Sequence, residues 1–276
     1  NRIATAECPV ICIAARMSKR SATRWARLSR VMRVMLGNVT HLVPQDVDSG
    51  ERFLALGLQR AALGPPMSLK TAVRLDAPDT AVLKELGAVF SRSRTCLAAS
   101  THPGEDEIIL DAFVTAKASK PDLKLILAPR HPRRSLDIQS LITSRNLSVA
   151  TRSDGDTMTQ ETDVYLVDTL GEMANWYALA GITFVGGSLV EKGGHTPFEP
   201  VAAGSMILHG PHLENFATAY GALAQDGAAI LVTTADGLAS TLIATSETQQ
   251  REFTHAAQGS LAQVQPPQSA LSDLAD

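Results

Sequence analysis

Apolar residues in this chain recur with two periods. Compact apolar runs such as "TCLAAS", "LKLILA", "ITFVGG" and "SMILHG" alternate with segments in which apolar positions return every three or four residues. The first pattern is that of a buried strand and the second that of one helix face. From Thr95 onward the alternation predicts strand "TCLAAS", a helix from about Glu105, strand "LKLILA", a helix from about Ser135, and the short strand "LSVAT". It continues with strand "DVYLVD", helix "GEMANWYALAG", strand "ITFVGG", helix "PFEPVAAG", strand "SMILHG", helix "NFATAYGALAQDG" and strand "AAILVT". Helical segments then run into a Gln- and Ala-rich tail whose last dozen residues read as disordered. Strands so apolar are buried on both faces, which implies a parallel, doubly wound α/β sheet.

The first part of the chain reads differently. Residues 8–14 predict a strand, and "SKRSATRWARLSRVMRVML" predicts one helix with Trp25, Leu28, Met32 and Met35 on its apolar face. Its other face is basic: Arg16, Lys19, Arg20, Arg24, Arg27, Arg30 and Arg33 lie in a stretch without an acidic residue between Glu7 and Asp46. That bias suits anionic headgroups or phosphates, and equally a solvated helix face. "THLVPQ" predicts a short strand, "SGERFLALG" a short helix ended by Gly57, and "LGPPMSLKTAVRLDAPD" a Pro-containing connection. A domain boundary is expected there, with domains 1–75 and 76–276. The chain starts at Asn1 and enters a strand almost at once, so an N-terminal portion is expected to precede it.

Composition changes this picture little. A net charge of -3 argues against a nucleic-acid binder held by a general positive field. Cys8, Cys12 and Cys96 form no CxxC and no paired spacing, so neither a disulfide framework nor a zinc site is expected, and a reducing, cytoplasmic setting fits. No apolar run approaches the roughly 20 residues that span a bilayer.

In an open parallel sheet, ligands bind beyond the carboxyl ends of the strands. Those positions here are unusually polar: Ser100, Thr101 and His102; Arg130 and His131; Asp168 and Thr169; Gly186, Gly187 and Ser188; His209, Gly210 and His212. Within "FVGGSLVEKGGHTPFEP" the first glycine pair lets a ligand approach the backbone, and Gly193-Gly194 permits a second tight turn. The helix expected near Pro197 would offer free N–H groups to an anion. The spacing is neither GxGxxG nor a P-loop. Glu199 is placed either to accept a ribose diol or merely to complement the helix dipole. His195 donates to a phosphate or sugar, or is structural. The "DGD" at Asp154–Asp156 reads as an Asp-Gly turn. His209 and His212 lack a third metal ligand.

Six ordered motifs together carry a family resemblance: "AARMSKRS", "AASTHPGEDEIILDA", "LILAPRHPRR", "YLVDTLGE", "FVGGSLVEKGGHTPFEP" and "LHGPHLENF". The chain resembles the 3-deoxy-D-manno-octulosonic acid (Kdo) transferases over nearly its whole length. The resemblance implies a GT-B fold, with the end of an N-terminal Rossmann-like acceptor domain followed by a Rossmann-like domain that binds CMP-Kdo. It implies inverting, metal-independent transfer of Kdo to the lipid A precursor (lipid IVA), with no cofactor, at the cytoplasmic face of the bacterial inner membrane.

By motif position, Gly186, Gly187, Ser188, Gly194 and His195 resemble the segment cradling the CMP phosphate and sugar, and Glu199 the ribose-binding carboxylate. Asn215, Ser100, Thr101, Arg130, His131, Gly171 and Glu172 resemble further donor-side residues. Arg16, Arg20 and Arg24 fall on the membrane and acceptor side. The resemblance puts the general base and a membrane-associated segment upstream of Asn1, so no catalytic residue is expected in this chain. "AARMS" and "GGHTPFEP" depart from the usual "NARLS" and "GGHNPLEP". Two other readings stand beside this one: a UDP-sugar 2-epimerase-like isomerase, and a donor-binding fragment or paralogue without catalysis.

Overall fold

The computed structural model describes residues 8–67 and 76–264. The chain divides into two compact units, one within each of these ranges. The boundary expected at residues 75 and 76 and the disorder expected in the last dozen residues fall on or beside residues outside the described ones.

The smaller unit pairs β1 (Ile11–Ala15) with β2 (His41–Pro44) in parallel. Between them lie α1 (Lys19–Ala26) and α2 (Ser29–Leu36), and α3 (Val47–Ala55) follows β2. Ser18 caps α1 by accepting the Ser21 N–H, and Asp46 caps α3 by accepting the Ser49 N–H at 2.6 Å. The single helix expected here is two. Leu28 leaves the helical region at φ -113° and ψ 40°, and the N–H groups of Arg27 and Leu28 turn back to Arg24 and Trp25, closing the first helix. The break shifts the phase of the apolar stripe. Met32 and Leu36 enter the core with Met17, Leu42 and Phe53, whereas Trp25, Leu28 and Met35 stay exposed.

In the larger unit seven parallel strands stand in the order β5-β6-β4-β3-β7-β8-β9. They are β3 (Thr95–Thr101), β4 (Lys124–Pro129), β5 (Val149–Thr151), β6 (Val164–Leu166), β7 (Ile182–Val185), β8 (Met206–His209) and β9 (Ala229–Leu231). The helices are α4 (Thr80–Leu86), α5 (Asp106–Ser119), α6 (Ser135–Thr143), α7 (Met173–Leu179), α8 (Phe198–Ala202), α9 (Ala217–Gln225), α10 (Ala235–Ala244) and α11 (Glu247–Val264). Every strand and helix expected after Thr95 is present. α4, capped by the Asp79 side chain on the Ala81 N–H, was not anticipated.

Alternation along the strands sorts the core into two faces. Cys96, Ala98, Leu125, Leu127, Phe184 and Leu208 pack with α5, α6 and α10. On the other face, Leu97, Ala99, Ile126 and Tyr165 pack with α4 and α7, and Val185 and Ile207 pack with α8, α9 and α11. The sheet is therefore covered on both sides, which explains why its strands read as continuous apolar runs.

The strand order also fixes where a ligand can enter. From β3 the chain crosses to β4 on one side, and from β7 it crosses to β8 on the other. The connections part at the carboxyl ends of β3 and β7, and such a switch point leaves a crevice above the sheet.

Candidate functional site

Residues leaving β3 and β7 meet at the switch point. Ser100 adopts φ +58°, which turns the chain sharply as β3 ends. Gly186 lies against this turn: a Cβ there would sit 2.5 Å from the Ser100 carbonyl oxygen and 2.8 Å from that of Ala99. Only glycine lets the two strand ends approach so closely. At Gly193, φ is +83° and a Cβ would sit 2.6 Å from the Asn215 side-chain nitrogen, so glycine is required there as well.

Glu105 organises the loop after β7. It is fully buried. One carboxylate oxygen accepts the Gly187 N–H at 2.7 Å and the His102 N–H at 2.9 Å; the other accepts the N–H groups of Ser188 at 3.0 Å and Leu189 at 2.9 Å. In the sequence Glu105 marks only the expected start of a helix. Three of its four partners lie more than 80 residues away along the chain, and no local spacing announces them.

This network engages several residues expected near the ligand. The Gly187 and Ser188 N–H groups, expected to face a phosphate, are taken by Glu105, and the Gly186 N–H is held by Ala99 O at 2.8 Å. Ser188 is fully buried, donating to Val185 O at 2.5 Å and accepting the Gly210 N–H at 2.8 Å. Thr101 is also fully buried, donating at 2.6 Å to Asp106, whose other oxygen holds Arg134. Asn215 donates to Lys192 O at 2.7 Å and so supports the glycine loop from behind. The buried Thr101 and Ser188 hydroxyls thus hold the framework of the site.

The groups that are presented are imidazoles and cations. His102, following β3, and His195, in the loop before α8, have parallel rings 5.2 Å apart with their Nε2 atoms 3.0 Å apart. His131 stands edge-on to His102 at 6.0 Å. Arg130 and His131, just beyond β4, are exposed. Burial first, and then the charges of His102, Arg130 and His131, push the His195 imidazole down to about 4. Burial also lowers His102, aided by His131, Lys192, Arg130 and Arg134. The centre of the crevice is thus a positive field around two rings that it keeps neutral.

Two further residues flank this centre. Glu199, in the single turn of α8, accepts the Tyr177 hydroxyl at 3.3 Å. Its pKa is raised, chiefly by burial and also by Asp76. The Phe198 N–H at the start of that turn meets the Thr196 hydroxyl at 3.3 Å. Tyr177 escaped sequence reading because it lies on another helix, within an apolar pattern. On the far side, two strands from β3, Glu172 pairs with Arg152 at 2.7 Å and accepts the Thr169 hydroxyl, and Arg152 in turn lies over the Trp176 ring. The Arg152 interaction comes first in lowering Glu172. Gly171 beside it adopts φ +85°.

The "DGD" segment is a turn, with Asp156 accepting the Thr151 N–H at 2.9 Å. His209 is buried, with Nδ1 2.8 Å from Gly210 O, and lies edge-on to Tyr220. Among the described residues no group of three His, Cys, Asp or Glu side chains is arranged to hold a metal ion. Grooves of about 410 and 540 Å³ lie at the amino edge of the sheet, where Ser93 and Gln250 line both. In the smaller unit, Arg16, Arg20 and Arg24 are exposed, and none forms an ion pair with a described residue. No described helix is long and apolar enough to cross a membrane.

Known proteins agree with this architecture. A family model described as 3-deoxy-D-manno-octulosonic-acid transferase matches residues 1–73. A 3-deoxy-D-manno-octulosonic acid transferase of Haemophilus influenzae is 33% identical over 83% of this chain and 54% of its own length. The chain spans about half the length of the curated relatives it matches. The solved C-terminal CMP-Kdo binding domain of WaaA from Acinetobacter baumannii is 30% identical, with a TM-score of 0.60 over 66% of this chain and 99% of that one. Anabaena HepE, solved with UDP and glucose, is 13% identical with a TM-score of 0.59 over 99% of this chain and 73% of that one, a likeness of fold alone.

Proposed function

The chain belongs to the 3-deoxy-D-manno-octulosonic acid (Kdo) transferase family, and from that premise we propose that its larger unit, with the described residues 76–264, binds CMP-Kdo for transfer of Kdo to a lipid A precursor such as lipid IVA. The observation that carries this reading is the likeness, across 99% of its length, to a domain named for CMP-Kdo binding. The site supports it. Imidazoles and cations gather at the switch point between β3 and β7, where a nucleotide phosphate would lie. Glu199, held by Tyr177, is the carboxylate for the ribose diol.

In the proposed reaction an acceptor hydroxyl attacks the anomeric carbon of Kdo with inversion. A new C–O bond forms, the bond to the phosphate oxygen breaks, and CMP departs with the electron pair. Arg130 and the imidazoles offset the charge that grows on the departing phosphate, so neither a metal nor a cofactor is needed. The hydroxyl proton passes to a general base, a role assigned to no residue of this chain. Lipopolysaccharide synthesis at the cytoplasmic face of the inner membrane is the proposed setting. The exposed Arg16, Arg20 and Arg24, beside exposed Trp25, Leu28, Val31 and Val34, suit contact with an anionic membrane or with the acceptor's phosphates.

Calorimetric titration with CMP and UMP tests the reading. Preferential binding of CMP, with an affinity lowered about tenfold by Glu199→Ala, is the expected result. A folded chain that prefers UMP would point to the UDP-sugar 2-epimerase-like alternative, and one that binds neither nucleotide would remove the donor-site assignment.

A further inference from the structure

The geometry of the His102–His195 contact goes beyond a pair of neighbouring rings. With Nε2 atoms 3.0 Å apart and planes within 6° of parallel, a centroid separation of 5.2 Å is close to the largest that two imidazoles can have. The two centroids and two nitrogens must therefore lie nearly on one line. The rings meet edge to edge, and the N–H of one points at the in-plane lone pair of the other.

Such a contact admits one proton between the facing nitrogens and never two. The neutral pair already carries its other proton on one outer nitrogen, so the proton that charges it would have to sit on the remaining Nδ1. Neither Nδ1 has a hydrogen-bond partner among the described residues, and neither is among their buried unpartnered atoms, so both reach solvent. The pair can thus become singly charged without breaking its own hydrogen bond, and double charging would break it.

The surroundings decide when that happens. Arg130 and His131 face the pair from beyond β4, Arg134 from the turn before α6, and Lys192 from the glycine loop. On the α5 side, Glu105 is turned to backbone N–H groups and Asp106 to Thr101 and Arg134. Tyr220, from α9, donates to the His195 carbonyl at 3.1 Å. No described carboxylate pairs with either ring. The described side chains therefore offer the pair no counter-charge, and an entering anion supplies it.

We propose that His102 and His195 act as one proton-sharing receptor for the ligand's phosphodiester, taking up a single proton from solvent as the anion binds between β3 and β7. This rests on the donor-site reading above and adds His102 to the binding residues. The sign follows from the ring environment. With His195 held at about 4 in the free chain, an anion raises the pair's affinity for a proton, and binding is proton-linked between the free and bound values. Affinity must then rise as pH falls through the bound-state value, and level off once the free pair is itself protonated.

The probe is cytidine 5′-phosphate methyl ester, a phosphodiester whose charge stays fixed, unlike a phosphate monoester with its second pKa of about 6. Titrating the full chain at pH 6 in two buffers of different ionisation enthalpy should give uptake of about 0.8 proton per site, falling toward zero by pH 8. Affinity at pH 6 should exceed that at pH 8 by roughly fivefold. His102→Gln should abolish both the uptake and the pH slope. Binding without proton uptake, equal at both pH values, overturns the receptor while leaving the donor site intact. Absence of binding at every pH overturns both.

Discussion

Replacing Glu105 by Gln tests whether a buried carboxylate, and not the glycine loop itself, sets the shape of the site. Each carboxylate oxygen accepts two backbone N–H groups: Gly187 and His102 on one, Ser188 and Leu189 on the other. Glutamine has nearly the same shape but only one acceptor. Whichever way its amide turns, the NH2 group faces two N–H donors and leaves them unsatisfied in a fully buried place. Hydrogen bonds to a charged group contribute about 1.5–3 kcal/mol each, so losing two costs roughly 3–6 kcal/mol, a large part of a typical domain's stability. Urea unfolding followed by Trp176 fluorescence measures this, in a Trp25→Phe background so that only the larger unit reports. The midpoint should fall sharply with the slope unchanged. A loss below about 1 kcal/mol would mean that the four contacts contribute little, and the argument for the loop's shape would fail.

Two further outcomes follow from buried side chains. Thr101→Val removes the hydroxyl that Asp106 accepts at 2.6 Å, and should lower stability by about 1–3 kcal/mol in the same assay, more than an exposed Thr→Val elsewhere. Burial pushes the Cys96 thiol up to about 12, so a thiol reagent should label exposed Cys8 in the native chain and reach Cys96 only in denaturant.

The parts of this molecule that were legible in its sequence are those set by local periodicity. The strands of the large sheet, the edge strand β9 apart, are runs of residues largely buried on both faces, so the alternation from Thr95 onward could be read directly. The break at Leu28 could not, because apolar residues kept helical spacing across it and only tertiary packing chose Met32 and Leu36 over Trp25 and Met35. α4 begins directly after the Pro-containing connection, in a stretch for which no helix was expected although Asp79 marks its start.

At the site, the rim of polar residues after each strand was visible, but not how each was used. Ser188 and Thr101, placed on the donor side by motif position, turn their buried hydroxyls to Val185 and Asp106. Glu105, Tyr177 and the linear contact between His102 and His195 all depend on partners distant in sequence. Local pattern carries no record of such contacts. The family resemblance supplied the expected ligand; the topology supplied the place where its phosphate would lie.

Backbone amide shifts of the isotopically labelled chain, recorded as CMP is added, test the central claim most directly. The account predicts saturable changes confined to Ser100–His102, Arg130–His131 and Gly187–Glu199, around the switch point between β3 and β7. Changes centred instead on Ser93, Lys120 and Gln250, at the grooves on the opposite edge of the sheet, or none at all, would contradict it.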